Sequence, residues 1–166
     1  MKALKPFELT FQAFILVFSI WALGWSSLYI ESVVGWNFWK FDFYIYYEGA
    51  RGNYIFGWIY RHYVRWIFFW MSFFNIRSAY FIWGGIQTIS FMVLTHFLFK
   101  VRYGWLAILA SLWGFKANLQ GGNIDVLLAM AYVFPVGTLL GTLVKPHHAL
   151  FALLYAAVGR DTKASH

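Results

Sequence analysis

The stretch PFELTFQAFILVFSIWALGWSSLYI, residues 6–30, decides which solvent this chain folds in, because its one charged residue is Glu8. A helix that crosses the hydrocarbon layer needs about 20 mostly apolar residues, and this run supplies them. Lys2 and Lys5 ahead of it imitate a secretory signal, but a signal's apolar region is only about 7 to 15 residues long and ends in small residues at a cleavage site. Here the apolar run continues through Trp21, Trp25 and Tyr29. The reading is a permanent helix over residues 7–30 with an aromatic end. The preceding lysines place the N-terminus in the cytoplasm by the positive-inside rule.

The whole composition agrees with that solvent. Of 166 residues, 61% are hydrophobic, 24% aromatic and 11% charged, with a mean hydropathy of +0.60. Soluble domains carry about 25% charged residues. An all-α, polytopic membrane protein is predicted, with residues 1–166 forming a single membrane domain. The net charge of +7 and pI of about 9.7 suit either nucleic acid or anionic lipid headgroups. The basic residues lie scattered between apolar runs, so membrane lipid is the expected partner and nucleic acid is not. The chain has no cysteine, which removes disulfides, thiolate metal sites and thiol nucleophiles and leaves the redox compartment open.

Residues 31–53 are polar enough to leave hydrocarbon and are rich in Trp and Tyr, which predicts an external loop with a short helix in the headgroup layer. A second helix is expected over residues 54–74, a turn at 75–78 with Arg77 as a cytoplasmic anchor, and a third helix over 79–99. Beyond Lys100 and Arg102 the apolar runs shorten to 104–115, 124–134, 136–144 and 149–158, separated by KANLQGGN and KPHH. Runs of this length read as re-entrant or broken helices. Irregular backbone at membrane depth persists only where protein or a water-filled cavity covers it, so the C-terminal half is expected to line a polar cavity. The count is about five to six transmembrane or re-entrant helices within residues 7–158, plus the interfacial helix, with 159–166 as a solvated tail.

Several polar residues stand out against this background. On a helix, Asp42 shares its face with Tyr46 and Gly49, while Glu48 points away, which argues against a two-carboxylate dyad. A single acid near apolar surface tends to hold its proton to higher pH and suits a general base; an ordinary headgroup-facing Asp is the alternative. Arg61 and Arg65, four apart on one helix face, suit a phosphate between them, or else snorkel into headgroups. In QGGNID, Asn123 or Asp125 can cap a helix while Gly121 and Gly122 let backbone approach a ligand. Lys145, between two short apolar runs, is placed to meet a phosphate. His147 and His148 are adjacent and lack metal-binding spacing, so no metal is expected. His96 reads as a hydrogen-bonded interior histidine.

The order of these features resembles the N-terminal half of the polyprenyl-phosphate-mannose-dependent mannosyltransferases, glycosyltransferase family 87 of the C-type superfamily. The resemblance runs from about residue 7 to residue 157. It rests on a long first helix, D-F-x-x-Y-Y-x-G-A at 42–50, RSAYFIWGGIQTISFMV at 77–93, GGNIDVLLA at 121–129 and GTLLGTLVKPHHALF at 137–151. It implies that Asp42, the acid of the first external loop, is the catalytic base, and that Lys145 of the Lys-Pro pair meets the lipid phosphate. Tyr46, Arg61, Arg65, Asn123 and His147 complete the candidate substrate-binding set. The donor would be a polyprenyl-phosphate sugar, with no separate cofactor.

Two departures accompany the resemblance. WIYRHYVRW stands where the family has a proline-rich stretch, and the family continues through further helices where this sequence stops at His166. Another membrane subunit completing the cavity, a minimal enzyme, or a scaffold that has lost catalysis would each account for the second. The competing function is therefore a non-catalytic subunit of a larger assembly, such as a virion membrane or an energy-transducing complex. It would pack through aromatics such as Trp66, Trp70 and Trp83.

Overall fold

The computed structural model of the chain describes residues 4–29, 42–53, 65–100 and 104–131, and every regular element among them is helical. In order these are α1 (Leu4–Tyr29), α2 (Asp42–Arg51), α3 (Arg65–Phe68) continued by a 3-10 turn (Phe69–Phe73), α4 (Ile76–Leu98), α5 (Gly104–Gly121) and α6 (Asp125–Ala131).

α1 and α4 are antiparallel neighbours. At one end Phe7 and Phe11 meet Phe99 edge-on, Glu8 pairs with His96 Nδ1 at 2.5 Å, and Gln12 Nε2 donates to Thr95 Oγ1 at 2.9 Å. Toward the other end Gly84 admits Leu23: a Cβ on Gly84 would stand 2.5 Å from Leu23 Cδ2. Small residues at such crossings let apolar helices approach where burial of apolar surface gives little drive. Ser19, Ser26, Thr88 and Ser90 are buried and donate to carbonyls one turn earlier in their own helices, so these hydroxyls cost little at depth. His96 is half-exposed at the α4 end, bound to Glu8, rather than interior as expected.

α1 and α4 are each long and apolar enough to cross a membrane over 23 residues, Pro6–Leu28 and Ile76–Leu98. Only 22% and 39% of their apolar windows are buried. A core helix of a water-soluble protein would be largely covered, whereas α1 presents Leu9, Val17, Ile20, Trp21 and Leu28 outward.

α5 runs back antiparallel to α4 and packs on both α1 and α4. Phe91 stacks on Phe115 at 4.1 Å, and the Tyr80 hydroxyl donates to the Leu119 carbonyl at 3.0 Å. The helix continues through KANLQG to Gly121, where the sequence reading had it end at residue 115. Its C-terminal carbonyls find donors on α4, which lets the polar stretch stay helical. At 18 residues it is about 27 Å long, nearly the reach of α4.

Of the second expected helix, 54–74, the described residues 65–74 do not form one continuous α-helix. Arg65 lies against the end of α2, with its Nε donating to the Ala50 carbonyl at 3.3 Å and its guanidinium over Gly52. The described part is four α residues and a 3-10 turn ending at an extended Phe74. Asn75 then caps α4, accepting from Ser78 N at 2.9 Å. Arg77 therefore sits at the α2 end of the bundle, opposite the N-terminus of α1, which overturns its assignment to the N-terminal side.

Candidate functional site at the α2 end

The short α2 forms as expected within the first loop, but its apolar face is covered by α3, the 3-10 turn and α4. Phe43, Tyr46 and Ala50 are fully buried. Tyr46 stacks on Phe68 at 4.3 Å and meets Trp83 edge-on at 6.2 Å. Its ring is closed off, so in this structure Tyr46 holds α2 to α3 rather than facing a substrate. The Tyr47 hydroxyl donates to the Phe74 carbonyl at 3.0 Å and accepts from Arg51 at 2.8 Å. Burial, and then the charge of Glu48, raise the pKa of Tyr44 above the ordinary tyrosine value.

Asp42 is half-buried in the first turn of α2. A carboxylate there interacts favourably with the unsatisfied N–H groups of the helix start. The neighbouring Phe43 backs directly onto Gly122. A Cβ at Gly122 would overlap Phe43 Cβ and stand 3.1 Å from Phe43 Cα, and Gly122 has φ +71°. Glycine is required here twice over, for the left-handed turn and for the close approach. The turn is held from α4 by Trp83, whose Nε1 donates to the Gly122 carbonyl at 2.7 Å. Asn123 Oδ1 accepts from Asp125 N at 3.3 Å, opening α6. The start of α2 and the Gly-Gly-Asn turn are thus brought together from opposite parts of the chain, with Asp42 and Asn123 flanking the contact.

Arg65 reaches the same end but spends its Nε on α2, stabilising a helix C-terminus as a cation does there. Arg61, Lys145 and His147 lie outside the described residues, as does the C-terminal part of the expected polar cavity. Within the described part, a cleft of about 190 Å³ opens between α4, α5 and α6, lined mainly by apolar groups with Ser111, Asn118 and Asp125. Among the described residues no three His, Asp or Glu side chains gather as a metal site.

Two structural residues escaped the sequence reading. Trp83, assigned there to the surface, is buried and anchors the Gly122 turn; Trp66 is indeed exposed and Trp70 partly so. Gln87, one turn beyond Trp83, is fully buried, and neither its amide oxygen nor its nitrogen has a hydrogen-bond partner among the described residues. An unpaired buried amide costs about 1–3 kcal/mol. Gln87→Leu is therefore expected to raise thermal stability, read as the melting temperature in detergent, and an unchanged or lower value would indicate that the amide is paired.

The chain matches no protein-family model, no curated protein and no solved structure.

Proposed function

We propose that the chain is a multi-pass membrane protein that transfers a sugar from a polyprenyl-phosphate donor to an acceptor outside the cytoplasm. What supports this reading is the Phe43–Gly122 contact at one end of the α1–α4–α5 bundle, in which an acid and an amide, Asp42 and Asn123, are the sequence neighbours of the two touching residues. In this reading Asp42 takes the proton of the acceptor hydroxyl while its oxygen attacks the anomeric carbon. The phosphate leaves with the bonding electron pair, and the configuration inverts. Arg61, Arg65 and Lys145 would hold that phosphate. Stabilising its charge would be the main catalytic contribution. Mannose is the sugar the family resemblance implies.

The test is reconstitution in lipid vesicles with polyprenyl-phosphate mannose and glucose and a mixture of glycan acceptors, following release of the polyprenyl phosphate. Donor-dependent release supports the reading. No release from either donor, with a second chain co-purifying in fixed ratio, favours the non-catalytic subunit. That second reading has an observation of its own: Arg65 and Tyr46, two of the expected binding groups, are engaged in holding α2 in place.

The membrane placement makes a separate prediction. With the N-terminus cytoplasmic, Asp42 and Arg77 lie on the far side together, and Lys100 lies on the cytoplasmic side near the start of α1. The cysteine-free sequence gives single-cysteine variants a silent background. Cysteines at 42 and 77 are expected to react with an impermeant maleimide from one side and a cysteine at 100 from the other. Opposite labelling of 42 and 77 would overturn the arrangement.

A further inference from the structure

We infer that α3 and its 3-10 continuation form a wedge embedded in the acyl-chain layer on the α2 side of the bilayer, rather than a membrane crossing or a water-exposed loop. The inference rests on the membrane reading of α1 and α4 and adds to it a specific lipid-contacting element. Depth is the first argument. Phe68 meets Trp83 edge-on at 5.5 Å, and Trp70 lies 6.4 Å from the same ring. Trp83 is seven residues into α4, about 10 Å along its axis from Ile76. Phe68 and Trp70 of the wedge therefore pack on a side chain rooted about two turns into a membrane-length helix.

Surface chemistry is the second argument. Phe68 and Met71 point inward and are fully buried. On the opposite side Trp66 and Phe73 are each 71% exposed, and Ile67, Phe69 and Phe74 are exposed too. Five large apolar side chains facing water over nine residues would be a severe burden, whereas facing acyl chains they are at rest. Phe81 and Ile82 of α4, one to two turns from its start, are outward too. Aromatic residues also favour this boundary depth.

The backbone is the third argument. Within hydrocarbon, carbonyls left open by a short helix need partners. Tyr47 supplies one to Phe74, and the Phe74 N–H donates to Met71 O at 3.1 Å. The inward side of the wedge is covered by α2, which supplies the Tyr47 hydroxyl, while the Phe74 N–H comes from the segment itself.

Spin labels at single cysteines replacing Trp66, Phe73, Ile89 and Arg51, in the full chain reconstituted in phosphatidylcholine vesicles, test this. Collision with oxygen, which concentrates in lipid, is compared with collision with a water-soluble nickel chelate. Positions 66 and 73 are expected to favour oxygen, at depths between Ile89 near the middle of α4 and the water-exposed Arg51. If 89 favours oxygen while 66 and 73 favour nickel, the wedge is overturned and the membrane reading stands. If 66 and 73 are shielded from both reagents, a second copy or another protein covers the face, which also overturns it. A nickel-accessible 89 overturns the membrane reading and this inference together.

Discussion

Asp42→Asn is expected to lower sugar transfer from a polyprenyl-phosphate donor by about 10²- to 10⁴-fold, the usual consequence of losing a general base. Asparagine keeps the size of the side chain and a hydrogen-bonding oxygen, but it cannot accept the acceptor's proton. The packing of α2 should persist. α2 is held by Phe43, Tyr46, Tyr47 and Ala50, all buried, and none of those contacts involves the carboxylate charge. The favourable position of a negative charge in the first turn is by itself worth about 0.3–1 kcal/mol. Expression and melting temperature near wild type, with transfer sharply reduced, is the expected result. Transfer that persists undiminished would keep the enzyme and remove Asp42 from its mechanism. A large drop in melting temperature would instead make Asp42 part of the scaffold.

Gly122→Ala is expected to destabilise the protein strongly, while Gly121→Ala, one residue earlier, is not. At 122 the backbone is left-handed, which costs an L-residue about 1–2 kcal/mol. The new Cβ would also overlap Phe43 Cβ and press on Phe43 Cα, so backbone rather than a flexible side-chain end must move. Overpacking of this kind adds about 1–3 kcal/mol. At 121 the residue is helical and nothing lies within 4 Å of a Cβ, so alanine should be neutral or slightly stabilising. Thermal unfolding of the two variants in the same detergent gives the comparison. Equal melting temperatures would mean that α2 does not rest on the Gly122 turn, and the support that this contact lends to the transferase reading would fall with it. Under the transferase reading, Gly122→Ala also loses activity in membranes where the protein still folds, because the turn that carries Asn123 is displaced from α2.

Single-residue chemistry and periodicity were enough to read the all-helical class, the long apolar α1 and α4, a short helix within residues 31–53 and the cap at the Gly-Gly-Asn turn. Each of these is local. Twenty-odd apolar residues without a break form a helix of that length in any surroundings that can cover them, and a helix start announces itself by the residues that satisfy its own N–H groups. Two expectations failed where the deciding partner lies far away in sequence. The stretch 104–121 looked broken after Phe115 because KANLQG is polar, yet Tyr80 and Trp83, each 39 residues before its partner, donate to the Leu119 carbonyl and to the Gly122 carbonyl just past the helix end, and let it remain helical. The stretch 54–74 has the composition of a crossing helix, but Arg65 returning to Ala50 and Phe68 stacking on Tyr46 hold its described part at the end of the bundle. Hydropathy reports how much apolar surface a segment must hide and leaves open whether lipid, a neighbouring helix or both will hide it. That choice depends on which distant surfaces fit together, and for Asp42, Tyr46, Arg65 and Asn123 it was made by the packing of α2 against α3, α4 and the Gly122 turn.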